Sequence, residues 1–228
     1  MNIVIGILFI ILTIAVYYGM KCLYKRFPHP LLVPIATSTI IIVPFLLFSQ
    51  ISYRTYMIGG NWIDELLGPA VVSFAIPLYE QRKIVRENIV NILTSVFIGA
   101  LIGIVSGLLL GKIFHIDKML ALSLAAKSVT TPVAMDLTEI IGGTPALAAV
   151  YVILAGIFGA IFGPMLLRML KVKRSLSIGL GFGTAAHGIG TAKVIEYGKL
   201  EGAVSSVSMT LSAIFTSILC PIIVSIML

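Results

Sequence analysis

A chain of 228 residues that is 59% hydrophobic and only 11% charged is not an ordinary soluble domain, in which about 25% of residues are charged. The length allows roughly seven or eight membrane segments of ~20 residues with short loops, and leaves no room for a separate soluble domain. The formal charge of +7 sits in short basic clusters between apolar runs, which is the pattern of cytoplasmic loops and argues against a nucleic-acid partner.

Residues 2–20 read as a first span, without the charged start of a cleaved signal, and Lys21, Lys25 and Arg26 follow it. Residues 31–48 read as a second, shaped at its start by Pro28, Pro30 and Pro34, with Pro44 as a kink point. Ser49–Asn61 reads as a loop; Tyr53, Tyr56 and the adjoining Trp62 carry amphipathic rings suited to the headgroup level. Residues 62–80 read as a bent or partly unwound span, since Pro69 and Pro77 each remove a backbone donor. Pro69, Ser73 and Pro77 are therefore candidates to face a substrate path, and Asp64 and Glu65 read as a solvated N-terminal cap.

A basic cluster, Arg82, Lys83 and Arg86, precedes a helix from about Asn88 to Gly111. Gly99, Gly103, Gly107 and Gly111 recur there every fourth residue, giving one smooth face for close backbone approach, either within the chain or at a dimer seam. Next come two apolar segments, 119–141 and 176–197, each interrupted at its middle by residues that helices in lipid avoid. Between them residues 145–170 read as a full span ending in Arg168, Lys171, Lys173 and Arg174, and a last span runs from about Gly202 to Leu228.

Breaks that bring hydroxyls, Lys, Asp and His to membrane depth are tolerated only where protein or trapped water lines them, and they mark functional sites. At the first, Ser128, Thr130 and Thr131 offer hydroxyls, and Pro132 opens a helix N-terminus whose amides suit an anion. Lys127 adds a full charge; Asp136 either pairs with it or relays a proton. At the second, Gly188 and Gly190 allow unwound backbone, His187 could bind a carboxylate or carry a coupling proton, and Thr184 and Thr191 are candidate ligand hydroxyls. Lys193, Glu196, Lys199 and Glu201 read as solvated residues at the base of that segment.

Sliding the chain on itself by 57 residues lays Met119–Pro164 over Leu176–Pro221 and puts Thr130 on His187, so the two breaks coincide. If each broken segment enters halfway and returns as a hairpin, the three basic clusters all fall on the cytoplasmic side and the two hairpin-plus-helix units become inverted, the plan of many secondary transporters. Broken helices that cross fully are the alternative. The expected fold class is an all-α polytopic membrane protein, with residues 1–111 as a transmembrane scaffold and 112–228 as a transport core. Cys22 and Cys220 lack metal-ligand spacing, and His29, His115 and His187 are scattered, so neither metal nor cofactor is expected. No nucleophile elbow, P-loop or HExxH is present, and an enzyme is not expected.

Three runs in order, Leu67-Gly-Pro-Ala-Val-Val-Ser-Phe-Ala-Ile-Pro-Leu-Tyr79, Lys127-Ser-Val-Thr-Thr-Pro-Val-Ala-Met135 and Gly183-Thr-Ala-Ala-His-Gly-Ile-Gly-Thr-Ala192, resemble the signatures of the LrgB/CidB family, and the resemblance covers nearly the whole chain. Ala186 departs from it where many relatives have Ser. The resemblance implies a plasma-membrane protein tied to control of murein hydrolase activity and autolysis, acting antiholin-like with an LrgA/CidA-type membrane partner. It also implies small 2-oxo or 2-hydroxy carboxylates as substrates, since plastid relatives carry glycolate and glycerate and some bacterial relatives are linked to pyruvate uptake. A coupling proton or cation and a homo-oligomer, such as a dimer, complete the expected partners.

Overall fold

The structure, a computed structural model, describes residues 2–27, 29, 32–66, 69, 72, 73 and 75–227. Pro28 and Pro30, and Leu67, Gly68, Ala70, Val71 and Phe74 of the first signature run, lie outside the described residues, as does the side chain of Pro77. The described residues form helices and connections, with no strand. Four helices are long and apolar enough to span a bilayer, and the protein is an all-α multi-pass membrane protein.

The chain packs as two compact units, residues 1–73 and 74–228. The first holds α1 (Asn2–Arg26), α2 (Pro34–Phe48) and α3 (Tyr53–Glu65). α2 runs unbroken through Pro44. α3 begins earlier than the sequence suggests, because the Ser52 hydroxyl accepts the Thr55 amide at 3.1 Å and caps it. The expected 49–61 loop thus shrinks to a short turn, and Asp64 and Glu65 fall in the last turn of a helix rather than at the start of one. Gly6 and Gly59 let α1 and α3 touch backbone to backbone. Tyr56 packs edge-on against Phe9, and its hydroxyl lies 2.9 Å from that of Thr13. Tyr53 and Trp62 are exposed.

The second unit contains α4 (Ala75–Glu80), α5 (Arg82–Glu87), α6 (Ile89–Ile113), α7 (Lys118–Ala125), α8 (Thr131–Ile140), α9 (Pro145–Met169), α10 (Ser175–Val194) and α11 (Lys199–Met227). Within this unit α6 packs most extensively against α11, and its glycine face meets both broken segments. A Cβ at Gly111 would meet Ala121, at Gly107 Lys127 and Leu124, at Gly103 Ser128, and at Gly99 Thr184. That face is filled from within the chain, by both broken segments in succession.

Each break is a hairpin. Asp117 caps α7 by accepting the Met119 amide at 2.8 Å, and α7 ends at Ala125. Thr130, in extended conformation, starts α8 with Pro132 in its first turn, where a missing donor is harmless. Beyond the end of α8 the Thr144 amide donates to the Ser123 hydroxyl at 2.8 Å, so the chain has come back to where it entered. A continuous helix would hold those residues ~30 Å apart. In α10 the corner is one residue, His187, at φ 40° and ψ −135°. Past it, a Cβ at Gly190 would lie 2.9 Å from the Phe182 carbonyl, and the rings of Phe182 and Tyr197 are 6.3 Å apart, against ~22 Å in a straight helix. The bases of the two hairpins sit at opposite ends of α9, which at 25 residues is ~37 Å long.

Four helix ends use one device. At Gln50, His115, Gly142 and Lys171 the residue after the cap has positive φ, and the next amide bonds five residues back, as in Ile116 to Gly111 and Val172 to Leu167.

Candidate functional site

The glycine face of α6 aligns the hairpins end to end. The turn of the first reaches Gly103 at Ser128; the second reaches Gly99 at Thr184, one helical turn or ~6 Å further along. Between them lies a cavity of about 490 Å³, lined by Ser95, Gly99, Ile102 and Gly103 of α6, Ser128 of the first turn, and Ser177, Leu180, Gly181, Thr184 and Ala185 of α10. Ser95 and Ser177 are exposed at its mouth; Ser128 and Thr184 are more deeply placed within.

These four hydroxyls share a property. Several hydroxyls elsewhere in the unit return their proton to their own helix, as Ser206, Ser208 and Ser217 do to the carbonyl four residues back at 2.7–2.8 Å, while Thr138 and Ser212 are buried in the packing with no partner. Among the described residues, Ser95, Ser128, Ser177 and Thr184 make no hydrogen bond with the protein. The cavity is thus ringed by unspent donors and acceptors. Beside it, Lys127 is half-buried and its ammonium donates to the Gly103 carbonyl at 2.7 Å.

Lys127 and Asp136 do not pair: no ion pair joins them, and Asp136 is exposed on α8. The lysine is satisfied instead by a carbonyl that the missing Gly107 side chain leaves accessible. His187 is buried and turned away from the cavity; its Nε2–H donates to the Val152 carbonyl at 2.9 Å. Thr191 is also spent, donating to the His187 carbonyl at 2.8 Å with the Ser205 hydroxyl at 2.8 Å. Gly190 gives room to Phe182 and Ala186, and a Cβ at Gly188 would meet only the Met209 sulfur. Thr130 and Thr131 are half-buried at the start of α8, and Pro132 is exposed. Pro69 and Ser73 are exposed, in the first unit. Val152 ties the corners together: its side chain packs in the buried cluster with Ala126 and Val129, and its carbonyl holds His187.

Ser95 and Ser177 were missed by sequence reading, although each carries a signal. Ser95 extends the glycine spacing one turn upstream of Gly99, and Ser177, Gly181 and Thr184 fall at i, i+4 and i+7.

The LrgB-like family model matches residues 13–226. The chain belongs to that family. A Bacillus subtilis protein, YxaC, is 47% identical over 220 residues, covering 96% of each chain. The Staphylococcus epidermidis and Staphylococcus aureus proteins named holin-like protein CidB are 37% and 36% identical over 219 residues, again covering 96% of each. No solved structure matches the chain.

Proposed function

We propose that this LrgB-like membrane protein is a secondary transporter of small monocarboxylates, of the pyruvate, glycolate or glycerate class, and that the substrate occupies the cavity between the two hairpins. One observation carries the reading: four hydroxyls without protein partners line a cavity shared by both broken segments. In a membrane interior such groups are expensive unless a ligand or water completes them. The volume of about 490 Å³ leaves room for a three-carbon acid together with on the order of ten waters. Lys127, one residue from Ser128, supplies the countercharge by exchanging the Gly103 carbonyl for a carboxylate oxygen. The mouth lies on the basic side, with Ser95 in the second turn of α6 after Arg82, Lys83 and Arg86, and Ser177 three residues from Arg174. That charge raises the local concentration of an anion. Two hairpins entering from opposite ends suit alternating access driven by a proton or cation gradient.

Uptake of labelled pyruvate and glycolate into proteoliposomes tests it. Saturable, gradient-dependent uptake that drops at least tenfold in Ser128→Ala/Thr184→Ala is expected; flat uptake by folded protein sinks the reading.

The relatives named holin-like protein CidB favour a second reading, an antiholin-like module that modulates an LrgA/CidA-type partner and murein hydrolase activity. Full lytic control by the Ser128→Ala/Thr184→Ala variant, in cells where its uptake is lost, would favour that reading. Loss of both together would make carboxylate flux the cause of the lysis phenotype.

A further inference from the structure

On the other side of the first arm of α10, between it and α9, runs a crevice of about 360 Å³. Ala155, Phe158, Phe162, Leu166 and Leu167 of α9 and Phe182 of α10 make up most of its wall, with the rings of Phe158 and Phe162 stacked along it. From Ala155 to Leu167 it extends ~18 Å along α9, close to the ~15 Å depth of one hydrocarbon leaflet. Its Leu167 end abuts the basic cluster formed by Arg168 in the last turn of α9, Lys171 and Lys173 in the α9–α10 connection, and Arg174 just before α10. Among the described residues none of these four cations has a carboxylate partner; Arg168 donates only to the Pro164 carbonyl of its own helix. An apolar slot one leaflet deep, ending in four unneutralised cations, has the chemistry of a phospholipid turned inside out.

A third helix is the poorer occupant. Gly159 and Gly163, the spacing that usually seats a neighbouring helix, already face Ala186 and Phe182 of α10. What remains is a crevice along a helix–helix contact, thin enough for a hydrocarbon chain, on whose rim a helix of ~10 Å diameter would ride.

We propose that this crevice binds an anionic phospholipid, with an acyl chain along α9 and its phosphate among Arg168, Lys171, Lys173 and Arg174. Basic sites at the ends of membrane helices recognise such headgroups in the cytoplasmic leaflet. Gly181 and Ala185 line both the crevice and the hydroxyl-ringed cavity, so the first arm of α10 is the wall between them. A bound acyl chain braces that wall. The assignment stands independently of what the cavity carries.

Native mass spectrometry of the detergent-solubilised full chain, titrated with phosphatidylglycerol or with phosphatidylcholine of the same acyl chains, tests it. Preferential retention of phosphatidylglycerol is expected. Arg168→Gln/Lys171→Gln/Lys173→Gln should weaken it about a hundredfold, and Lys21→Gln/Lys25→Gln/Arg26→Gln should leave it unchanged. Filling the slot with Ala155→Phe, or with Ala185→Leu should the first variant unfold, should abolish retention with the cations intact. Equal retention of both lipids, equal effects of the two basic clusters, or retention undisturbed by a filled slot would each overturn the proposal. So would an Ala155→Cys variant that cross-links two copies in native membranes, since a second chain would then occupy the crevice.

Discussion

The ammonium of Lys127 donates to the carbonyl of Gly103 at 2.7 Å, across 24 residues of sequence. The lysine is thereby held by a neutral partner, and among the described residues no carboxylate pairs with it. The contact exists because α6 has no side chain at Gly107, where a Cβ would lie 3.0 Å from Nζ.

Removing that charge tests its use. Lys127→Met keeps the length and apolar stem of the side chain while leaving no donor for Gly103. Uptake should fall more than tenfold with the thermal unfolding temperature little changed, as measured in proteoliposomes and by unfolding in detergent. Unchanged uptake would place the substrate charge elsewhere.

The glycine face should respond as an internal seam. A Cβ at Gly99 would sit 2.7 Å from the Thr184 methyl group, so Gly99→Val forces the second hairpin away and should destabilise by roughly 1–3 kcal/mol. Light scattering should find the oligomeric state of Gly99→Val and Gly107→Leu the same as that of the parent. A change of assembly without loss of thermal stability would make this face a contact between copies.

His187 sets an inverted rank order. Within a helix, Gly is about 1 kcal/mol worse than Ala. At φ 40° a Cβ is strained and glycine is not. His187→Gly and His187→Ala both lose the hydrogen bond to Val152, so their difference isolates the backbone. The Gly variant should unfold at the higher temperature, with an advantage of about 1 kcal/mol in stability. The opposite order would mean that α10 has no such corner.

The return of the second hairpin is measurable by distance. With Cys22 and Cys220 replaced, Phe182→Cys/Tyr197→Cys should cross-link with a short bifunctional reagent, because the native rings are 6.3 Å apart. Failure to cross-link in a folded protein would restore a crossing helix, whose span of ~22 Å such a reagent cannot bridge.

Much of this protein is written locally. Runs of apolar residues broken by Ser128–Pro132 and His187–Gly190 are enough to give a multi-pass helical bundle with two interruptions, because lipid admits little else. The four-residue glycine spacing announces a close approach, since nothing but absent side chains can allow one. What the breaks do was decided in three dimensions. The Ser123–Thr144 and Phe182–Gly190 approaches turn each segment back on itself, and no periodicity encodes a partner found many residues away. The same packing sorts the polar residues. His187 and Thr191 spend their hydrogen bonds on Val152 and Ser205, Asp136 faces outward, and Ser95 and Ser177 arrive at the cavity with theirs unmade. A hydroxyl's type fixes what it can bond, but only the packing around it fixes what is left to bond.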